Sequence, residues 1–168
     1  MLYQLKYSSF KLLKGGDFTM GNTSENMYGT EHLMDTGDVV VVTIGYRVGP
    51  LGFLCLGDEY VPGNQALWDQ QMALRWVHQH IAHFGGDKNR LTLAGHNAGS
   101  VCVSYHLVSP QSAGLFINAI CMSGTFLSPS CTFDKDPESI GIDFASKLGC
   151  VDEGDSVDQI LMKLQNLR

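Results

Sequence analysis

A chain of 168 residues, 44% apolar and 17% charged, has the size of one globular domain and can bury roughly 70% of its unfolded surface. Seventeen acidic against eleven basic residues give a net charge of −6 with no basic block, which argues against nucleic acid as a partner. No apolar run reaches the about 18 residues that a membrane-crossing helix needs, and the first ten residues interrupt any export signal with Lys6, tyrosines and serines.

Residues 38 to 44 (Asp-Val-Val-Val-Val-Thr-Ile) are β-branched and apolar on both faces, the composition of a strand covered on each side in a parallel sheet. After a Gly/Pro-rich turn, Leu67, Leu74, Val77, Ile81 and Phe84 recur at the spacing of an amphipathic helix, which Gly85 and Gly86 end. Leu91 to Ala94 predicts a short strand, 98 to 107 a helix, and 117 to 122 a further strand. This alternation predicts an α/β fold: a mostly parallel sheet with right-handed crossovers and helices on both faces. Residues 124 to 136 read as a polar loop bracketed by Pro129 and Pro137, followed by helical patterns at 137 to 148 and 155 to 167. No internal repeat or low-complexity segment is present.

The five cysteines (Cys55, Cys102, Cys121, Cys131 and Cys150) are an odd set without C-x-x-C spacing. Neither a closed disulfide framework nor a zinc site is expected, and at least one thiol is unpaired or paired elsewhere. His78, His80 and His83 lie on one helix, but only His80 and His83 share a face and no carboxylate or thiolate completes a ligand set. No metal and no cofactor are expected.

The segment Leu91-Thr92-Leu93-Ala94-Gly95-His96-Asn97-Ala98-Gly99 has the form of a nucleophile elbow: strand, tight turn, helix. Glycines two residues before and after the apex allow the strand and helix to approach closely, and the apex residue is held in a strained conformation. Asn97 stands at that apex, where a serine would carry the chemistry.

With Phe84-Gly85-Gly86-Asp87 before it, this segment resembles the type-B carboxylesterase and cholinesterase family, whose signature runs F-G-G-D, a connector, a strand and G-x-S-A-G. Residues 46 to 54 (Tyr-Arg-Val-Gly-Pro-Leu-Gly-Phe-Leu) are similar to its N-Y-R-L-G-x-x-G-F block, and residues 62 to 70 to its P-G-N-x-G-L-x-D-Q block. Residues 119 to 125 (Ala-Ile-Cys-Met-Ser-Gly-Thr) are similar to A-I-x-Q-S-G-x. The resemblance is firm over about residues 12 to 133, with the blocks in family order. It implies a partial α/β-hydrolase domain over residues 1 to 168.

The resemblance also assigns roles. The acyl-accepting oxygen belongs at position 97, and an asparagine amide is no nucleophile. The family's oxyanion hole uses an H-G-G-G loop, read here as Lys14-Gly15-Gly16-Asp17, so the implied donors are the backbone N–H groups of Gly16, Asp17 and Ala98. A carboxylate at Asp17 opposes charge developing beside it. The acid and histidine of the family triad fall beyond Arg168, and Met1 to Lys11 supplies little more than one strand. The expectation is a truncated, catalytically silent homologue. Its alternatives are part of a non-catalytic adhesion or scaffold protein, with a protein partner, or a fragment of an active carboxylic ester hydrolase.

The remaining implied features are structural. Arg47 and Asp69 fall where the family has a buried ion pair. His96 occupies a variable motif position and is incidental. Ser100 and Cys102 sit on the following helix and point away from the apex. Cys150 matches the first partner of a small family disulfide, but Asn166 stands where its mate is expected, so that loop is open. Asn22-Thr23-Ser24 is a glycosylation sequon that matters only in the secretory pathway. Family members are commonly secreted or in the endoplasmic reticulum, and nothing in this chain fixes its location. A sheet that stops after four or five strands has an open apolar edge, which predicts poor solubility for residues 1 to 168 alone.

Overall fold

The computed structural model describes residues 7–21, 23, 30–35, 39–128 and 136–167. Four strands carry the fold: β1 (Tyr7–Leu13), β2 (Val39–Ile44), β3 (Gly86–His96) and β4 (Asn118–Met122). All neighbours are parallel, in the order β2-β1-β3-β4. The helices are α1 (Glu31–Met34), α2 (Pro50–Phe53), α3 (Gln65–His80), α4 (Ala98–Val108), α5 (Pro137–Lys147) and α6 (Val157–Gln165). The parallel α/β architecture expected from the alternation is the one found.

The connection from β1 steps to β2 on one side of the sheet, whereas the connections to β3 and β4 step to the other side. Right-handed crossovers therefore put α1 on one face, and α3 and α4 on the opposite face. Packing agrees for the two long helices. Leu13, Ile44 and Leu93 share one buried cluster with Leu74 of α3 and with Cys102 and Val103 of α4. Val77, Ile81 and Leu91 form a second cluster beneath Val40 and Val42. On the other face of β4, Ile120 and Met122 remain 40% and 38% exposed.

The reversal of direction lies between β1 and β3. In open α/β sheets that crevice, at the carboxyl ends of the strands, is where ligands bind. Here it holds the turn after β1 and the turn after β3.

Two elements differ from expectation. The apolar stripe predicts a helix continuing to Phe84, but α3 ends at His80, a 3₁₀ turn covers Ile81–Phe84, and Phe84 is exposed. Gly85 closes that turn at φ 82°, a conformation glycine adopts without steric cost. Strand β3 begins at Gly86, five residues before the predicted start. Asp87 to Arg90 read as a polar connector, and in the structure the register slips there: Tyr7 pairs with Gly86 and Ser9 with Leu91, so these residues form an irregularity in the ladder, with Lys88, Asn89 and Arg90 exposed.

A smaller apolar cluster joins Leu56 and Val61 to Ala145, Cys150 and Ile160 of the α5–α6 region. Asp136 caps α5, and Ser156 with Gln159 forms a capping box on α6. Of the polar loop expected at 124 to 136, residues 129–135 with Cys131 lie outside the described residues, as does Asn22 of the sequon. Cys55, Cys121 and Cys150 are free thiols.

Candidate functional site: the turn after β3

Glycines bring the two turns together. A side chain at Gly95 would place its Cβ 2.2 Å from the Gly99 carbonyl oxygen, and one at Gly99 would lie 2.3 Å from the Leu13 carbonyl oxygen. A Cβ at Gly15 would meet the His96 carbonyl oxygen at 2.8 Å and the Asn97 Cβ at 3.3 Å. Only bare backbone lets β3, α4 and the loop after β1 approach this closely.

The apex residue is strained. Asn97 has φ 54° and ψ −122°, outside the regions that side chains normally allow. Asp17 (φ 48°), Phe18 (φ 64°) and Ser123 (φ 61°) lie in the turns after β1 and β4. Four of the five described non-glycine residues at positive φ thus lie in the turns after β1, β3 and β4, the pattern of a built site, and the fifth, Asn64, precedes α3. The turn is fixed from both sides: Asn97 donates its backbone N–H to Met122, and its carbonyl accepts from Ser100 and Val101 as α4 begins.

The central observation concerns the Asn97 side chain. Its Oδ1 accepts hydrogen bonds from the backbone N–H groups of Ala98 at 2.6 Å, Asp17 at 3.1 Å and Gly16 at 3.4 Å. The three residues singled out as donors converge on a single oxygen, and that oxygen belongs to the apex residue itself. Donors preorganised in this way stabilise negative charge growing on a carbonyl oxygen. The oxygen they hold here is that of an amide.

The loop that supplies two of these donors is tied down behind the site. Tyr46 donates its hydroxyl to the Lys14 carbonyl at 2.6 Å, while Lys14 Nζ lies 5.0 Å from the Tyr46 ring centroid and donates to the Gly21 carbonyl at 2.7 Å. Lys14 stands where the resemblance expects histidine, and it serves as a strut. Asp17 turns its side chain outward, exposed to solvent.

Other candidates are placed elsewhere. His96 is exposed. Ser100 donates to the Gly124 carbonyl at 2.6 Å, and Cys102 Sγ accepts from Gln70 at 3.2 Å, so both side chains are engaged with partners other than Asn97. His80 and His83 stack with ring centroids 6.1 Å apart. Among the described residues no group of three metal-ligating side chains occurs, and no helix is long and apolar enough to cross a membrane.

Arg47 and Asp69 meet in a bidentate pair, Nη2 to Oδ1 at 2.7 Å and Nε to Oδ2 at 2.8 Å, with the Arg47 backbone N–H also on Oδ2. Hydrogen bonding to the partner raises the Arg47 pKa and lowers that of Asp69. Contrary to the expected burial, the side chains are 51% and 24% exposed. The pair staples the turn after β2 to α3 at the protein surface.

Two buried polar groups were missed in the sequence. His106 hydrogen-bonds Ser112 Oγ through Nδ1 at 2.8 Å and Gln70 Oε1 through Nε2 at 3.0 Å. Because Gln70 Oε1 only accepts, Nε2 carries the proton and Nδ1 accepts from Ser112. Burial pushes the His106 pKa down to about 4. Lys11, fully buried in β1, donates to the carbonyls of Leu115 at 3.1 Å and Leu74 at 3.4 Å, and burial lowers its pKa to about 8. The available signal was a polar letter inside an otherwise apolar strand or helix.

A family model described as the carboxylesterase family matches residues 8–168. The chain is 39% identical over 147 residues to Cholinesterase 2 of Branchiostoma lanceolatum, covering 87% of this chain and 44% of that protein. It is 50% identical over 125 residues to Esterase B1 of Culex pipiens, covering 73% of this chain and 23% of that protein. Neuroligin-2 of Mus musculus is 43% identical over 148 residues, 88% of this chain and 17% of that protein. The chain thus spans less than half the length of these curated relatives.

Proposed function

We propose that this chain, which belongs to the carboxylesterase family, is a catalytically silent form of the esterase scaffold. Asn97 occupies the nucleophile position, and Gly16, Asp17 and Ala98 supply an oxyanion hole that Asn97 itself fills. The observation that carries this reading is the Asn97 Oδ1 held by those three N–H groups. Acyl transfer needs a nucleophile at the apex and an unoccupied cradle for the substrate's carbonyl oxygen. Here one residue removes both: the amide nitrogen does not attack at neutral pH, and the amide oxygen sits in the cradle.

Restoring the hydroxyl tests this directly. The chain as it stands is expected to show no p-nitrophenyl ester hydrolysis and no labelling by a fluorophosphonate probe. Asn97→Ser in a full-length family context is expected to gain both. Covalent labelling of residue 97 in the unaltered chain would overturn the proposal, and would favour a fragment of an active carboxylic ester hydrolase.

A second reading is a non-catalytic adhesion or scaffold module that engages a protein partner. The 43% identity to a neuroligin supports it, because a binding module needs the fold and not the hydroxyl. In a longer form of the protein, binding to a cell-surface protein that persists in Asn97→Ser would separate this role from any ester chemistry.

A further inference from the structure

We infer that Asn97 is a self-modification site, at which the hole hydrolyses its own occupant and converts Asn97 to aspartate. This rests on the oxyanion-hole reading above. The donors to Oδ1 from Gly16, Asp17 and Ala98 withdraw electron density from the Asn97 Cγ and stabilise the oxygen when it becomes negative. The amide is therefore presented to solvent as an activated carbonyl, and the side chain is only half-buried.

The reacting partner is water. Its oxygen bonds to Cγ, the Oδ1 takes up the negative charge in the hole, and the Cγ–Nδ2 bond then breaks. Ammonia leaves with the protons of the water, and the products are an aspartate carboxylate at position 97 and ammonium. No oxidant, metal or cofactor is needed.

The usual route to the same change is attack by the following backbone nitrogen through a cyclic imide, which opens to a mixture of aspartate and isoaspartate. Geometry opposes it here. The Ala98 N–H is engaged by Oδ1 at 2.6 Å, whereas the imide route needs that nitrogen to give up its proton and turn its electron pair to Cγ. Ala98 is also the first residue of α4, held in helical conformation.

The chain carries its own control. Asn118 is also followed by alanine and is exposed on β4, with no such cradle. The folded chain, unaltered, is incubated in heavy-oxygen water at neutral pH, and the peptide from Leu91 to Lys135, which holds both asparagines, is analysed by fragment-ion mass spectrometry. With three donors each worth about a hundredfold or more on hydrolysis, Asn97 is expected to convert at least about tenfold faster than Asn118, with one heavy oxygen and aspartate alone, whereas Asn118, which has only the imide route, gives aspartate with isoaspartate. In urea the two positions should convert at equal rates. An Asn97 rate no greater than that of Asn118 in the folded chain would overturn the inference. So would isoaspartate at position 97. Neither result touches the silence of the site, which probe labelling reads separately.

Discussion

At residue 97 a single side chain decides both what the turn can do and how the turn is held. Truncation to alanine leaves the Gly16 and Asp17 N–H groups without their acceptor, and water reaches this half-open site to replace it. Asn97→Ala should therefore cost about 1 kcal/mol, read as a lower urea midpoint with an unchanged slope. The apex was legible in the sequence because the glycines at 95 and 99 fix its position. That its oxygen fills the hole was not legible, since it depends on a contact with a loop 80 residues away in the chain.

Buried ionisable residues make the second prediction at this scale. His106 titrates near 4 in the folded chain against 6.5 when unperturbed, because burial disfavours the imidazolium. The folded state then binds fewer protons, so its stability is complete above pH 6.5 and falls as pH drops toward 4, by on the order of 3 kcal/mol. Lys11 shows the same sign at higher pH: stability rises between pH 8 and 10.5 as the unfolded lysine also loses its proton. Urea midpoints across pH check both, and Lys11→Met should flatten the alkaline limb.

At the scale of elements, the boundaries set by local chemistry were readable. The Ser156 cap and Gln159 mark the start of α6, and Ser156→Ala should cost about 1 kcal/mol, seen as a lowered melting temperature. Boundaries set by pairing were not readable. The early start of β3 depends on β1, whose Tyr7 pairs with Gly86. The close packing at the elbow gives a sharper test. A methyl at Gly99 meets the Leu13 and Lys14 carbonyl oxygens at 2.3 and 2.7 Å, backbone atoms that cannot swing aside. Gly99→Ala should destabilise by at least about 2 kcal/mol, and a urea midpoint equal to that of the unaltered chain would contradict the packing described.

Across the whole molecule, the strand order is a property that spacing along the chain does not contain. Alternating strands and helices announce a parallel sheet, but the step back from β2 across β1 to β3 is a long-range choice, and it creates the crevice where the elbow lies. Among the described residues β2 and β4 have one unpaired edge each. Ile117, Ile120 and Met122 at one edge, and Met72 and Trp76 near the other, are exposed. Such edges pair with other chains. Residues 1 to 168 expressed alone should self-associate in sedimentation velocity, whereas a monomer with a sharp cooperative melt would refute this.

The hydrogen bonds at Asn97 give the proposed silence of the site a ratchet. A serine oxygen, one bond shorter from the backbone, cannot span to the loop after β1 as the carboxamide does, so reversion would take away the brace that now sets the spacing of that loop. Only the Tyr46 and Lys14 ties would then keep the cradle in shape. A restored hydroxyl would therefore work in a less firmly held cradle, and each change that adapts residues 14 to 17 to their resident amide widens that handicap.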